Sequence, residues 1–223
     1  MADGATFHAF VAEGIEDDVP THFGRYEYQR IIGRGSFSVV IEAKDSFNED
    51  SHAVKVTSRK MLEENDLTPS FDRELRALQT LTHPNIVHLL EIIYMEQFIF
   101  IVMEYCREGE LYQYIIDNGR LVEDEAKEIF KNICLSIKYI HSKGIAHCDI
   151  KAENILMAEG MVPKLADFGF CHPSSEEELL TESCGSMYYA APELFQGNPY
   201  NGQKSDIWSL GVLLFVMTLD VYL

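Results

Sequence analysis

The feature that most constrains the fold is a change of period partway along the chain. Up to residue 105 the chain reads mainly as short strands, and beyond it helical spacing dominates. Runs at 26–32 and 38–44 read as strands flanking a glycine turn, and 52–56 as a short apolar strand. Residues 88–94 and 98–105 read as a hairpin around Met95-Glu96-Gln97. One helix interrupts this region at 70–81, with Phe71, Leu75 and Leu78 on one face. The second region opens with a short helix at 110–118, closed by Gly119. A longer helix occupies 123–142, striped by Ala126, Ile129, Phe130, Ile133, Ile137 and Ile140 and stopped by Gly144. A small hairpin is expected from 155–157 and 162–165, a mobile polar loop over 170–186, and a strongly apolar helix over 205–219. Strands first and helices second predict an α+β protein of two unlike lobes with a cleft between them. The expected organisation is a flexible acidic leader (1–24), a sheet lobe (25–105) and a helical lobe (106–223).

Charge narrows the partners. The chain has 36 Asp and Glu against 18 Lys and Arg, a net charge of −18. Nucleic acid and anionic membrane would be repelled, whereas basic peptides would not. Five cysteines, at 106, 134, 148, 171 and 184, show no paired spacing and read as reduced thiols of a cytosolic or nuclear protein. The first residues carry acids, not the basic patch and apolar run of a secretory signal. The apolar run at 210–219 is too short to span a bilayer and reads as a buried helix.

The chemistry concentrates in His147-Cys148-Asp149-Ile150-Lys151-Ala152-Glu153-Asn154, and then in Asp167-Phe168-Gly169. An acid, a lysine and an asparagine fall within six residues, and a second acid lies 13 residues after that asparagine. Each is costly to bury alone. Together they suit holding a triphosphate and its metal ions beside an attacking hydroxyl. Gly33-Arg34-Gly35-Ser36-Phe37-Ser38 sits between two strands, where glycines let the backbone approach phosphates. Taken alone, it reads better as a plain hairpin. Lys55, between Val54 and Val56, alternates to the opposite face from both. Taken alone, it is equally a solvent-facing lysine, and Glu74 an exposed helix acid. What joins them is spacing: Lys55 comes 22 residues after Gly33, and Glu74 precedes Pro84 by ten.

These motifs, with Ala191-Pro192-Glu193 and Ser205-Asp206-Ile207-Trp208-Ser209-Leu210-Gly211, resemble the eukaryotic protein kinase domain from Tyr26 to Leu219. The resemblance implies an antiparallel-sheet lobe with one helix and a helical lobe. It also implies ATP and Mg²⁺ as cofactors. Asp149 would take the substrate proton, and Lys151 would neutralise the moving phosphoryl group. Asn154 and Asp167 would hold Mg²⁺. Lys55 would grip the α- and β-phosphates, paired to Glu74. Ile32, Gly33 and Gly35 would cover the nucleotide, with Ser38 standing where the family's third glycine usually is. Val40, Ala53 and Leu156 would clamp adenine, and Met103 would be the gatekeeper. Backbone groups of Glu104 and Cys106 would bond adenine. Glu110 would meet ribose or a basic substrate residue. Leu78, Leu89, His147 and Phe168 match positions of an apolar column, and Asp206 would brace the catalytic loop. The run from Ser183 to Glu193, with Leu121, Glu123, Glu125, Ala126, Ile129 and Phe130, looks most like the calcium/calmodulin-dependent and AMP-activated-kinase-like branch. Lys151 and Ser186 fit Ser/Thr specificity.

Two departures stand out. Cys148 occupies the place of the arginine that pairs with an activation-loop phosphate in the family. The usual phosphosite, two residues before Cys184, is Glu182. The two changes agree, and phosphorylation there is not expected to switch the protein, although Thr181 and Ser183 flank the position. The second departure is the end of the chain just after the 205–219 helix, where the family continues with further helices. The helical lobe is therefore expected to be incomplete. Glu193 is expected to lack its arginine partner, and an exposed apolar patch is expected to invite a covering partner. The expected function is ATP-dependent phosphorylation of Ser or Thr on protein substrates. The alternative is a weakly active or inactive kinase fold that binds nucleotide or a partner.

Overall fold

The computed structural model describes residues 15–35, 37–175, 178–182 and 184–219. The chain divides into two compact units, one of residues 1–68 and 89–105, the other of 69–88 and 106–223.

The first unit is built on a six-stranded antiparallel sheet. Its elements are α1 (Ile15–Asp18), β1 (His22–Phe23), β2 (Tyr26–Arg34), β3 (Ser38–Asp45), β4 (Ser51–Ser58), α2 (Arg59–Glu64), β5 (Leu89–Tyr94) and β6 (Phe98–Glu104). The strand order is β1-β2-β3-β4-β6-β5. Alternation assigns the two faces. Val39, Ile41, Val54, Val56, Phe100 and Val102 are fully buried with Phe23 and Tyr26 in one apolar core. Phe23 stacks on Phe100 at 4.3 Å between ring centroids, a pairing that contributes about 1 kcal/mol beyond its area. The opposite face is less covered, and Val40, Glu42, Lys55 and Met103 on it are half-buried. Arg25 closes one end of the sheet, reaching Asp45 and Glu91, each at 2.9 Å.

The expected leader needs a correction. Residues 1–14 lie outside the described residues, but 15–24 are folded onto the sheet. Ile15 and Phe23 are buried in its core, and β1 pairs with β2. The apolar residues among the acids of this segment outweigh its glycine and proline, because the sheet offers them a core to enter.

The second unit begins with α3 (Thr68–Thr80), which sequence order alone puts with the sheet lobe. The segment after it explains the grouping. Val87 N donates to Leu165 O, Leu165 N donates to Asn85 O, and Asn85 Nδ2 donates to Pro163 O. The remaining elements are α4 (Leu111–Asn118), α5 (Glu123–Ser142), β7 (Ile145–Ala146), β8 (Ile155–Ala158), β9 (Val162–Leu165), β10 (His172–Pro173) and α6 (Gly202–Thr218). β8 and β9 form the expected hairpin. α5 has the bounds its periodicity predicts, and Ala126, Ile129, Ile133, Ile137 and Ile140 are buried along it. Each such isoleucine stabilises the unit by about 2 kcal/mol.

α6 is apolar on every side. Leu210, Leu213, Val216 and Met217 are buried, while Ile207, Trp208, Leu214 and Phe215 are exposed. Ile207, Trp208 and Phe215 lie beside exposed Tyr188. No helix among the described residues is long and apolar enough to cross a membrane.

Candidate active site

In the second unit, the turn after β7 carries Asp149, Lys151 and Asn154 into one hydrogen-bonded cluster. Asp149 is 4% exposed, so its charge must be compensated locally. Lys151 Nζ lies 2.9 Å from Asp149 Oδ2 and donates to Ser186 Oγ at 2.8 Å. Ser186 donates to Asp149 Oδ1 twice, from its backbone N and from Oγ, each at 2.9 Å. Asn154 Nδ2 donates to Asp149 O at 2.8 Å and to Oδ2 at 2.9 Å. That orientation leaves Asn154 Oδ1 as the amide's acceptor. Both carboxylate oxygens of Asp149 are thereby fixed, and so is the direction the carboxylate faces.

The turn is strained and braced. Cys148 has φ +65°, in the left-handed region. For a non-glycine residue this costs about 1–3 kcal/mol. Asp206, at the start of α6 and 1% exposed, compensates. Its carboxylate accepts from His147 N at 2.8 Å and Cys148 N at 2.9 Å, and contacts His141 Nε2 at 2.7 Å. His147 Nδ1 accepts from Asp149 N at 3.2 Å, so Nε2 carries the proton and donates to Ala166 O at 3.0 Å. The His147 ring meets Phe168 edge to face at 5.0 Å. This couples the turn to Asp167, which also has positive φ, at +57°. Ala166 N donates to Asn154 O at 2.9 Å, so the segments that carry Asn154 and Asp167 are adjacent. Glu74, buried on α3, stands close by: a Cβ added to Gly169 would lie 3.9 Å from its Oε2.

Leu156 is on β8, and a backbone bridge joins it to Glu110 at the start of α4. Cys106 is buried nearby in sequence. Burial, then the neighbouring Glu153, pushes the Glu110 carboxyl above the usual range, and Lys151 opposes them.

The other predicted nucleotide residues belong to the first unit. β-register sets Gly33 opposite Val40, Val40 opposite Lys55, and Ala53 opposite Met103. Residues directly paired, or two apart along a strand, share a face. Gly33, Val40, Ala53, Lys55 and Met103 therefore line one face of the sheet, the one opposite the apolar core. Ile32 is on β2 and Glu104 ends β6, opposite His52. Gly35 N donates to Ser38 O at 2.8 Å, and a Cβ there would come within 3.0 Å of Ser38 Oγ. Ser36 lies outside the described residues.

A group that sequence reasoning missed surrounds Cys148. His172 of β10 and Cys184 join it, with one ligand atom from each residue within 4.8 Å of the others. The Cys148 thiol, then His172 and Tyr200, pull the Cys184 thiol down to about 5, while the same contact and burial push Cys148 up. No pattern in the sequence points to this group, because β10 pairing with β7 is what delivers His172. The expected loop over 170–186 is in fact tied down at β10 and by a Leu180–Tyr200 bridge. Ser183, one of the two residues flanking Glu182, lies outside the described residues.

The profile of the family described as protein kinase domain matches residues 26–222. The chain is 40% identical over 194 residues to the zebrafish (Danio rerio) protein named serine/threonine-protein kinase SIK3 homolog, covering 87% of this chain and 16% of that one. It is 40% identical over 194 residues to the Caenorhabditis elegans serine/threonine-protein kinase kin-29, covering 87% of this chain and 24% of that one. The chain thus spans less than a quarter of the length of either relative.

Proposed function

Since the chain belongs to the protein kinase domain family, we propose that it transfers the γ-phosphoryl group of ATP to Ser or Thr hydroxyls of protein substrates. The observation that carries this reading is the Asp149 cluster. A carboxylate held through both oxygens by Lys151, Asn154 and Ser186 faces one way, and an attacking hydroxyl needs a carboxylate so fixed. The names of the relatives support Ser/Thr specificity.

Each residue then has a role. Asp149 orients the hydroxyl and accepts its proton. Lys151 neutralises charge that develops on the transferring group. Lys55 aligns the α- and β-phosphates, and Glu74 orients Lys55. Gly33, Gly35 and Ile32 cover the phosphates and sugar. Val40, Ala53, Met103 and Leu156 bound the adenine, and the backbones of Glu104 and Cys106 bond its edge. Asn154 and Asp167 would hold Mg²⁺. Their fit is supported by the Asn154 amide, whose nitrogen is committed to Asp149 and whose oxygen is the remaining ligand atom, the hard donor this cation takes. When bound, the ion neutralises phosphate charge.

Glu110 would welcome a basic substrate residue, since a cation would stabilise a carboxylate that burial, and then Glu153, disfavour. We also propose residence in the cytosol or nucleus, which the lack of paired spacing among the five cysteines supports. Purified chain should label a basic Ser-containing peptide from radiolabelled ATP. Lys55→Met should abolish labelling by at least ~100-fold while the circular dichroism spectrum is kept. Wild-type labelling by that variant would refute the assignment. Nucleotide binding without labelling by the wild type would return the binding-module reading.

A further inference from the structure

We propose that Cys148, His172 and Cys184 form a zinc site that fastens the segment carrying Cys184 to the catalytic turn. The three residues come from three separate stretches of chain, yet their ligand atoms lie within 4.8 Å of one another. A tetrahedral Zn²⁺ with Zn–S of about 2.3 Å and Zn–N of about 2.0 Å needs its ligands about 3.5–3.8 Å apart. Contraction by about 1 Å along side-chain torsions closes the site. Two thiols and an imidazole are the soft and borderline donors that choose zinc over Mg²⁺.

The surroundings are those of a metal site and not of a chance cluster. His172 Nδ1 donates to Phe170 O at 2.8 Å, which fixes the tautomer and leaves Nε2 as the ligand atom. A ligating histidine needs such an outer partner. Cys148 is held in its left-handed conformation by Asp206. Cys184 is held in place through its neighbour Gly185. A Cβ on Gly185 would sit 2.1 Å from Cys148 O, so the two backbones touch. Tyr200 Oη lies 3.5 Å from Cys184 Sγ and 2.9 Å from Glu182 O, placing a hydroxyl beside the sulfur. Binding displaces the remaining thiol proton to solvent and leaves both sulfurs as thiolates. The metal would then link the turn before Asp149 to the stretch bearing Ser186, a role the resemblance gives to the arginine that Cys148 replaces. That consequence rests on the kinase reading, but the existence of the site does not.

The test is Co²⁺ titration of the reduced, chelator-stripped full chain. We expect one equivalent to bind with a thiolate-to-cobalt charge-transfer band and tetrahedral visible bands, all displaced by Zn²⁺. Cys148→Ser, Cys184→Ser and His172→Ala should each weaken binding at least ~100-fold, and Cys134→Ser should not change it. Should a variant fail to fold, alkylation of the wild type decides: Zn²⁺ should protect Cys148 and Cys184, mapped by mass spectrometry. Absence of the charge-transfer band, its persistence in the Cys184→Ser variant, or alkylation unaffected by Zn²⁺ would overturn the proposal. None of these readouts uses phosphoryl transfer, so failure of the kinase reading would be seen separately.

Discussion

A Cβ built on Gly185 would stand 2.1 Å from the carbonyl oxygen of Cys148. No side chain fits there, and Gly185 also has φ +90°. The stretch from Cys184 to Ser186 can reach Asp149 only because this residue is glycine. Gly185→Ala should therefore cost about 2–4 kcal/mol in urea unfolding and speed cleavage by a Glu-specific protease after Glu178 or Glu182. Unchanged stability and cleavage would show that the contact is not needed.

Asp206 satisfies two buried backbone donors of the catalytic turn and meets His141 as well. Asp206→Ala would leave those donors unpaired and release the strained Cys148 backbone. We expect a loss of about 3–5 kcal/mol by chemical denaturation. The much more exposed Glu123, paired at 2.7 Å with Lys127, should leave the denaturation midpoint nearly unchanged on replacement by Ala.

Ser186 both donates to Asp149 and accepts from Lys151. Ser186→Ala keeps the backbone donor to Asp149 but loses the hydroxyl. The expected result is a fall in kcat of about tenfold with little change in KM for ATP, restored by Ser186→Thr. A rise in KM alone would place Ser186 in nucleotide binding instead.

Cys184 should behave as a thiolate at neutral pH, because Cys148, His172 and Tyr200 pull its thiol down to about 5. Burial moves Cys134 the other way. In chelator at pH 6, on the thiolate side for Cys184 and the thiol side for Cys134, iodoacetamide should modify Cys184 first. The advantage should vanish below about pH 5, where Cys184 takes up its proton. Equal labelling of both at pH 6 would contradict the assignment.

Sequence reading worked best where one physical period acts alone. The α5 stripe gave both ends of its helix because a single apolar face decides them. Lys55 was legible for the same reason, since alternation against Val54 and Val56 puts it off the core face. It failed where long-range pairing overrides local composition. The acids near Ile15 and Phe23 read as a leader, yet those two side chains complete the sheet core. His172 looked like part of a polar loop until β10 paired with β7. The loss of arginine at Cys148 was visible, but not that Cys184 and His172 stand beside it, because no spacing encodes a contact made by three distant segments.

The most direct test of the account is transfer of label from radiolabelled ATP by the purified chain, with identification of the labelled residue. The account predicts phosphoserine or phosphothreonine on a basic peptide, reduced at least ~100-fold in Asp149→Asn with an unchanged circular dichroism spectrum. Label on tyrosine, or transfer by Asp149→Asn at the wild-type rate, would contradict it.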